Sequence, residues 1–168
     1  MIDFNSTSKG MWREVSPEGD LLYCYSCSTC IVGCPASNAD PPLLIRNLVR
    51  SVVLGLEDDL LDNDTPWTCV TCSRCEELCP MGVDPFEVCL AIRRWQCHKD
   101  ETRIPMATAE VYKRGYTQPV EKVDALRASV GLTDKLPTID RFPELHQQFK
   151  EMLMQIDVIK NARYMFED

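Results

Sequence analysis

Apolar residues recur at helical spacing in three stretches of the chain. Ile45, Leu48, Val49, Val52, Val53 and Leu56 fall three and four apart, with Arg46, Asn47 and Arg50 on the other face. That rhythm predicts an amphipathic helix, opened by Asp40-Pro41-Pro42 and closed near Gly55. Asp40 is placed to cap free N–H groups, and proline is tolerated in a first turn. A second helix is expected from about Pro85 to Cys97, with Phe86, Cys89, Leu90 and Trp95 turned inward. Asp84 and Glu87 stand three apart at its start, as in a capping box. Between the two, Glu57-Asp58-Asp59 and Asp62-Asn63-Asp64 read as an acidic turn region. Short helices are expected at Ile104 to Lys113, stopping near Gly115, and at Pro119 to Val130, ending at Gly131. Leu136-Pro137-Thr138 reads as a linker, and Asp140 to Pro143 opens a last helix. There Leu145, Phe149, Met152, Ile156 and Ile159 form a heptad-like stripe, which either packs on its own domain or meets a partner. Strand-type alternation is nearly absent. Residues 1–22 show no periodicity and read as an irregular arm, in which Trp12, Leu21 and Leu22 can pack over the neighbouring cysteine-rich segment.

Each of the two main helices is preceded by the same cysteine run. Cys24-Tyr-Ser-Cys27-Ser-Thr-Cys30-Ile-Val-Gly-Cys34-Pro35 and Cys69-Val-Thr-Cys72-Ser-Arg-Cys75-Glu-Glu-Leu-Cys79-Pro80 are both C-x2-C-x2-C-x3-C-P. Bacterial-type ferredoxins hold [4Fe-4S] cubes with this run, and in two-cluster forms the fourth cysteine ligates the other cube. Carried over, Cys24, Cys27, Cys30 and Cys79 hold one cluster, and Cys69, Cys72, Cys75 and Cys34 hold the other. The repeated unit of motif, short loop, Asp-Pro and helix is more specific than either motif alone. Zinc sites use separated pairs of C-x2-C rather than three cysteines in consecutive two-residue gaps. Cys89 and Cys97 stand outside the quartets and read as small buried hydrophobes. His98 and His146 are isolated and expected at the surface.

Ten cysteines in 168 residues fall short of a disulfide scaffold, and the polar start lacks the layout of a signal peptide. Reduced thiols in the cytoplasm are therefore expected. No apolar run approaches the ~20 residues that a membrane span needs. The net charge of -8 is uneven: residues 1–100 carry 15 acidic against 8 basic side chains, and residues 101–168 carry 11 against 10. An acidic cluster-bearing half disfavours nucleic acid and suits a basic patch on a redox partner. Arg74 beside Cys75 should raise a local potential, and Glu76 and Glu77 should lower it. No Gly-x-Gly-x-x-Gly marks a flavin or nicotinamide site, no Cys-Cys pair is present, and no nucleophile–base–orienter set stands out. The organisation expected is an arm over residues 1–22, a two-cluster domain over 23–100, and a helical, subunit-docking extension over 101–168.

Paired motifs, an intervening helix and few strand signals resemble the α-helical ferredoxin domain. That domain is found in succinate dehydrogenase and fumarate reductase iron–sulfur subunits. It also occurs in the C subunits of anaerobic glycerol-3-phosphate dehydrogenase and of heterodisulfide reductase. Gly115-Tyr-Thr-Gln-Pro119, Arg127-Ala-Ser-Val-Gly131-Leu132 and Leu136-Pro137-Thr138 resemble the tail of the soluble heterodisulfide reductase C subunit. The resemblance implies a mainly α fold and a conducting, non-catalytic subunit of a cytosolic complex active in methanogenesis. A flavin-bearing A subunit would bifurcate electrons, and one branch would cross to a B subunit. That subunit holds noncubane clusters and reduces the coenzyme M–coenzyme B heterodisulfide. A hydrogenase or formate dehydrogenase module would stand upstream. The eight motif cysteines correspond to the family's cluster ligands.

Other functions fit less well. Respiratory dehydrogenase iron–sulfur subunits usually place a [2Fe-2S] domain before the helical one, and only 23 residues precede Cys24. A structural cluster in a nucleic-acid protein is disfavoured by the acidic balance. A diffusible ferredoxin has no use for the long C-terminal extension. A heterodisulfide-reductase-like relay acting on another disulfide is the nearest variant.

Overall fold

The structure is a computed structural model. It describes Val15, residues 20–117, Val120, residues 123–132, Leu136, residues 138–162 and Met165. Trp12, Pro119 and Pro137 lie outside the described residues. Helices joined by short turns make up the fold, and no strand occurs among the described residues. The chain divides into two compact units, Met1–Lys99 and Asp100–Asp168.

In the first unit, α1 (Thr29–Val32) lies inside the first motif and α2 (Ile45–Leu54) comes after it. α3 (Glu57–Leu61) comes next, then α4 (Arg74–Glu77) inside the second motif, then α5 (Pro85–Lys99). α2 buries Ile45, Leu48, Val49 and Val52, the stripe its periodicity marks. It ends at Gly55, whose φ of 68° places the C-cap in the left-handed region that glycine reaches without strain. The start differs from expectation. α2 begins at Ile45, after Leu44, and no side chain caps it. Asp40 lies too far upstream, and Pro41 and Pro42 belong to the loop. Leu56 falls beyond the helix.

The acidic run after Gly55 is a helix and not a turn. Glu57, Asp58 and Asp59 occupy the first turn of α3, where carboxylates oppose the positive end of the helix dipole. Leu60 anchors it, fully buried. α5 is the axis of the unit. It buries Pro85, Val88, Cys89, Ala91, Ile92, Trp95, Gln96 and Cys97, more than one face. Phe86 and Leu90 are only half-buried. Together with Leu21, Leu43, Val83 and the α2 stripe, the apolar members from Val88 to Trp95 form one core. Motif cysteines Cys24, Cys30, Cys34, Cys69 and Cys79 pack on its edge.

Gln96 is a polar side chain fully buried beside that core. Its amide Nε2 donates to the carbonyls of Leu60 and Asn63, each at 2.7 Å, and its Oε1 accepts from Trp67 Nε1 at 2.7 Å. It thus ties α3 and the turn Thr65–Thr68 to α5 immediately before the second motif.

In the second unit, Asp100 accepts from the backbone N–H of Thr102 and caps a short turn. α6 (Ala107–Arg114), α7 (Val123–Ser129), α8 (Pro143–Leu153) and α9 (Asp157–Asn161) complete it. α6 ends at Gly115 with φ 81°, and any Cβ there would run into the Ile139 side chain. The last stripe is broken, because α8 stops at Leu153 and α9 starts afresh at Asp157. Leu153 and Ile159 are buried, Phe149 is half-buried, and Leu145, Met152 and Ile156 are exposed. His146 is half-buried, contrary to its expected surface position, and its Nε2 is buried without a hydrogen-bond partner among the described residues. No helix among the described residues is long and apolar enough to cross a membrane.

Gln96→Leu removes one acceptor and two donations, leaves the Asn63 carbonyl and the Trp67 indole N–H without these partners, and leaves the Leu60 carbonyl with backbone N–H donors alone. A loss of about 2–3 kcal/mol in unfolding free energy is expected from anaerobic denaturant titration. A change under ~0.5 kcal/mol would show that the network is not needed.

Candidate metal centre

Each cysteine run follows a short 3-10 turn, Asp20–Tyr23 or Thr65–Thr68, and folds as a tight loop and one turn of helix. The two loops take the same backbone path. Ser26 and Ser28, on either side of Cys27, have φ of 62° and 70°, and Thr71 and Ser73, on either side of Cys72, have φ of 56° and 55°. None of the four is glycine, and left-handed backbone costs an ordinary residue roughly 1–2 kcal/mol. Threonine, being β-branched, is a marked outlier there. Strain repeated at equivalent positions points to a shape that the site requires. Left-handed residues turn successive N–H groups toward one concavity, a backbone nest of the kind that holds anions at phosphate and iron–sulfur sites.

The first loop borders a small cavity that is partly open to solvent. Cys24, Cys27 and Cys30 line it, and so does Cys79 from the second motif. The backbone N–H of Val83 points at the Cys79 sulfur, 3.4 Å away. At the second loop, Cys75 is buried, and the cysteine charges that bear on it are those of Cys69 and Cys34. Burial first, then Cys69, push the Cys75 thiol up to about 12. Burial and then Cys24 also raise Cys30. Cys27 moves the other way, because Thr29 Oγ1 bonds its sulfur at 3.2 Å. Cys27 and Cys72 are the exposed members of their loops, and no disulfide joins any of the ten cysteines.

Cys79 therefore lies with the first triplet, and Cys34 lies near Cys75 of the second. Among the described residues, no three Cys, His, Asp or Glu side chains converge on a point where one ion could sit. A [4Fe-4S] cube offers each thiolate its own iron, so its ligands need not converge on one point.

Comparison with known proteins agrees. The family described as 4Fe-4S dicluster domain matches residues 20–83. A protein of Archaeoglobus profundus, named as like the C subunit of heterodisulfide reductase, is 35% identical over 80% of this chain and 72% of its own length. The C subunit of the H2:CoB-CoM heterodisulfide,ferredoxin reductase of Methanothermobacter marburgensis is 33% identical, covering 80% and 75%. The C2 subunit of the H2/formate:CoB-CoM heterodisulfide,ferredoxin reductase of Methanococcus maripaludis is 37% identical, covering 82% and 80%.

The chain belongs to the family of heterodisulfide reductase C subunits. It is an iron–sulfur electron-transfer protein with two [4Fe-4S] clusters as cofactors, and its relatives are subunits of an oxidoreductase.

Around the cysteines this family member places groups that the sequence does not single out. Arg46 Nη1 donates to Ser28 Oγ at 2.9 Å, and Arg50 Nη1 donates to Ser26 Oγ at 3.0 Å. Two arginines one helical turn apart on α2 thus hold both left-handed serines of the first loop. Arg93 on α5 donates to the carbonyls of Pro66 at 2.8 Å and Cys69 at 2.7 Å, with its guanidinium 5.4 Å from the Trp67 ring. Cys89 is fully buried, and its sulfur lies 3.5 Å from the Pro66 carbonyl. Burial and then Cys69 push its thiol up to about 12. The sequence signal for Arg46 and Arg50 is their spacing of four on one helix face, which reads equally well as a solvated surface.

Thr71→Gly keeps a backbone that reaches positive φ and should retain the full iron content. Thr71→Pro fixes φ near −65° and should lose about four irons per chain. Iron assay and visible absorption of anaerobic preparations check both, and equal loading would show that the left-handed geometry is dispensable.

Proposed function

We propose that this chain is the non-catalytic relay subunit of a heterodisulfide reductase complex in the cytoplasm. In this reading Cys24, Cys27, Cys30 and Cys79 hold one cluster, and Cys69, Cys72, Cys75 and Cys34 hold the other. When bound, each cluster supplies a one-electron carrier, with no substrate chemistry of its own. The observation that carries the reading is the presence of Cys79 in the wall of the Cys24–Cys27–Cys30 cavity. The crossed ligands bind the two motifs together and hold the two sites at close range. The apolar core behind the loops keeps water from their inner side, and exposed Cys27 and Cys72 mark where each site comes nearest the surface.

The partners in this proposal are a flavin-bearing A-type subunit as donor and a B-type subunit that reduces the coenzyme M–coenzyme B heterodisulfide. The donor's bifurcating chemistry would lie upstream. Relatives named for H2 and formate support a hydrogenase or formate dehydrogenase module further back. Residues 23–100 carry the clusters and residues 101–168 dock. Support for docking comes from α8, which leaves Leu145 and Met152 exposed.

Cys79→Ser tests the ligand sets. The cube of the first loop should be damaged and the cube held by Cys69, Cys72 and Cys75 spared, as read by EPR of the reduced protein. Loss confined to the second cube would overturn the assignment. Leu145→Asp with Met152→Asp should leave iron content unchanged and cut co-purification of the other subunits by roughly tenfold, as ~1.4 kcal/mol of lost affinity would. Undiminished recovery of those subunits would remove α8 from the interface.

A further inference from the structure

The two cysteine runs are alike in backbone and unlike in charge. From Cys24 to Pro35 the first motif has no charged residue, whereas the second carries Arg74, Glu76 and Glu77. To the first loop the fold adds Arg46 and Arg50, bonded to Ser28 and Ser26. Arg46 is half-buried and lines the cavity with Cys24, Cys27, Cys30 and Cys79. Asn47 Oδ1 accepts from Arg46 Nη2 at 3.0 Å and from Nε at 3.3 Å, which fixes the plane of the guanidinium. Among the described residues no guanidinium bonds to Thr71 or Ser73. Arg93 reaches backbone carbonyls at the start of the second loop. Against the first site stands Asp84, exposed and flanked by the cavity residues Val83 and Pro85. Against the second stand Glu76 and Glu77, exposed and one and two residues after Cys75.

We infer that Arg46 is a positioning residue for the first cluster site, and that its half-buried charge makes this site the easier of the two to reduce. The inference rests on the ligand sets proposed above. Reduction adds one negative charge at a site already crowded with thiolates. A cation in the cavity wall stabilises the reduced form more than the oxidised one, and a half-buried cation is screened less than an exposed one. The guanidinium also holds Ser28 in the left-handed region, so one side chain sets both the loop's shape and its electrostatics. Arg50 adds to the same sign from a more exposed position. At the second site the half-buried Arg93 is engaged by the Pro66 and Cys69 carbonyls, and Glu76 and Glu77 oppose it and the exposed Arg74. An electron shared between the two sites therefore rests on the one built from Cys24, Cys27, Cys30 and Cys79. That site is then the exit end of the pair, and the second loop the receiving end. No proton or third reagent is needed, because one site is oxidised as the other is reduced.

The test is a potentiometric titration of the anaerobic full-length chain, monitored by EPR, for the wild type, Arg46→Gln, Arg46→Lys and the pair Glu76→Gln, Glu77→Gln. In the wild type, the signal sensitive to Cys79→Ser should appear first on reduction. Arg46→Gln should shift that signal's oxidised-to-reduced ratio about tenfold toward oxidised at fixed potential, a midpoint about 59 mV lower for one electron. Arg46→Lys should restore most of it, because the charge remains. The glutamate pair should raise only the later-reduced signal. The inference falls if Arg46→Gln carries both cubes with unchanged midpoints, or if it moves the later-reduced signal. Should Arg46→Gln lose iron, the exposed glutamate pair still decides the order, and a rise in the first-reduced signal would overturn it. Cys79→Ser striking the other cube would sink the ligand assignment instead.

Discussion

Cys79 shares a cavity with Cys24, Cys27 and Cys30, although 49 to 55 residues of chain separate it from them. Everything else in the first unit serves that meeting. For a sulfur from the second motif to reach the first loop, the two helices after the motifs must pack side by side; α2 and α5 do contact one another, and Val49, Val52, Val88 and Ile92 belong to their common core. The loops must also curl tightly enough to offer three thiolates each. Four non-glycine residues accept left-handed backbone to provide that curl. Core packing and loop strain are thus coupled: the apolar stripes stabilise an arrangement whose cost is borne at Ser26, Ser28, Thr71 and Ser73.

The strained serines of the first loop are not left unsupported. α2 supplies arginines to the first loop and α5 supplies one to the start of the second. Gln96 closes the network by joining α3, the turn at Trp67 and α5. The same long helix that fills the core therefore also holds the start of a cysteine loop, through Arg93. Charge obeys a similar logic. The acidic surface is interrupted by guanidinium groups where the thiolates gather, so the field at each site differs from that of the chain as a whole.

Much of this architecture is legible in the residues. The cysteine spacing announces the clusters, the three-and-four rhythm of Ile45 to Val52 marks its helix face, and Gly55 and Gly115 mark two helix ends. The departures have definite physical causes. Asp40 resembles a cap because the Asp-Pro-Pro signal is local, but the chain needs four more residues of loop before Ile45 can enter the core. Glu57 to Asp59 resemble a turn because acidic runs avoid cores, yet a helix needs only one anchor, here Leu60, and welcomes carboxylates in its first turn. A single inward face understates α5, whose central position buries Val88, Ala91, Ile92 and Gln96 as well. The heptad-like stripe near the C-terminus is indifferent to the break after Leu153. The arginine contacts are invisible, since a salt-free Arg–Ser bond 18 or 24 residues apart leaves no pattern in a linear sequence.

Two four-iron sites built across the two cysteine loops can be counted by iron and labile-sulfide analysis of the anaerobically purified chain, with EPR of its fully reduced form. About eight irons and eight sulfides per chain are expected, with reduced signals broadened by mutual magnetic coupling. Stoichiometric zinc, about four irons per chain, or two uncoupled signals would contradict that arrangement.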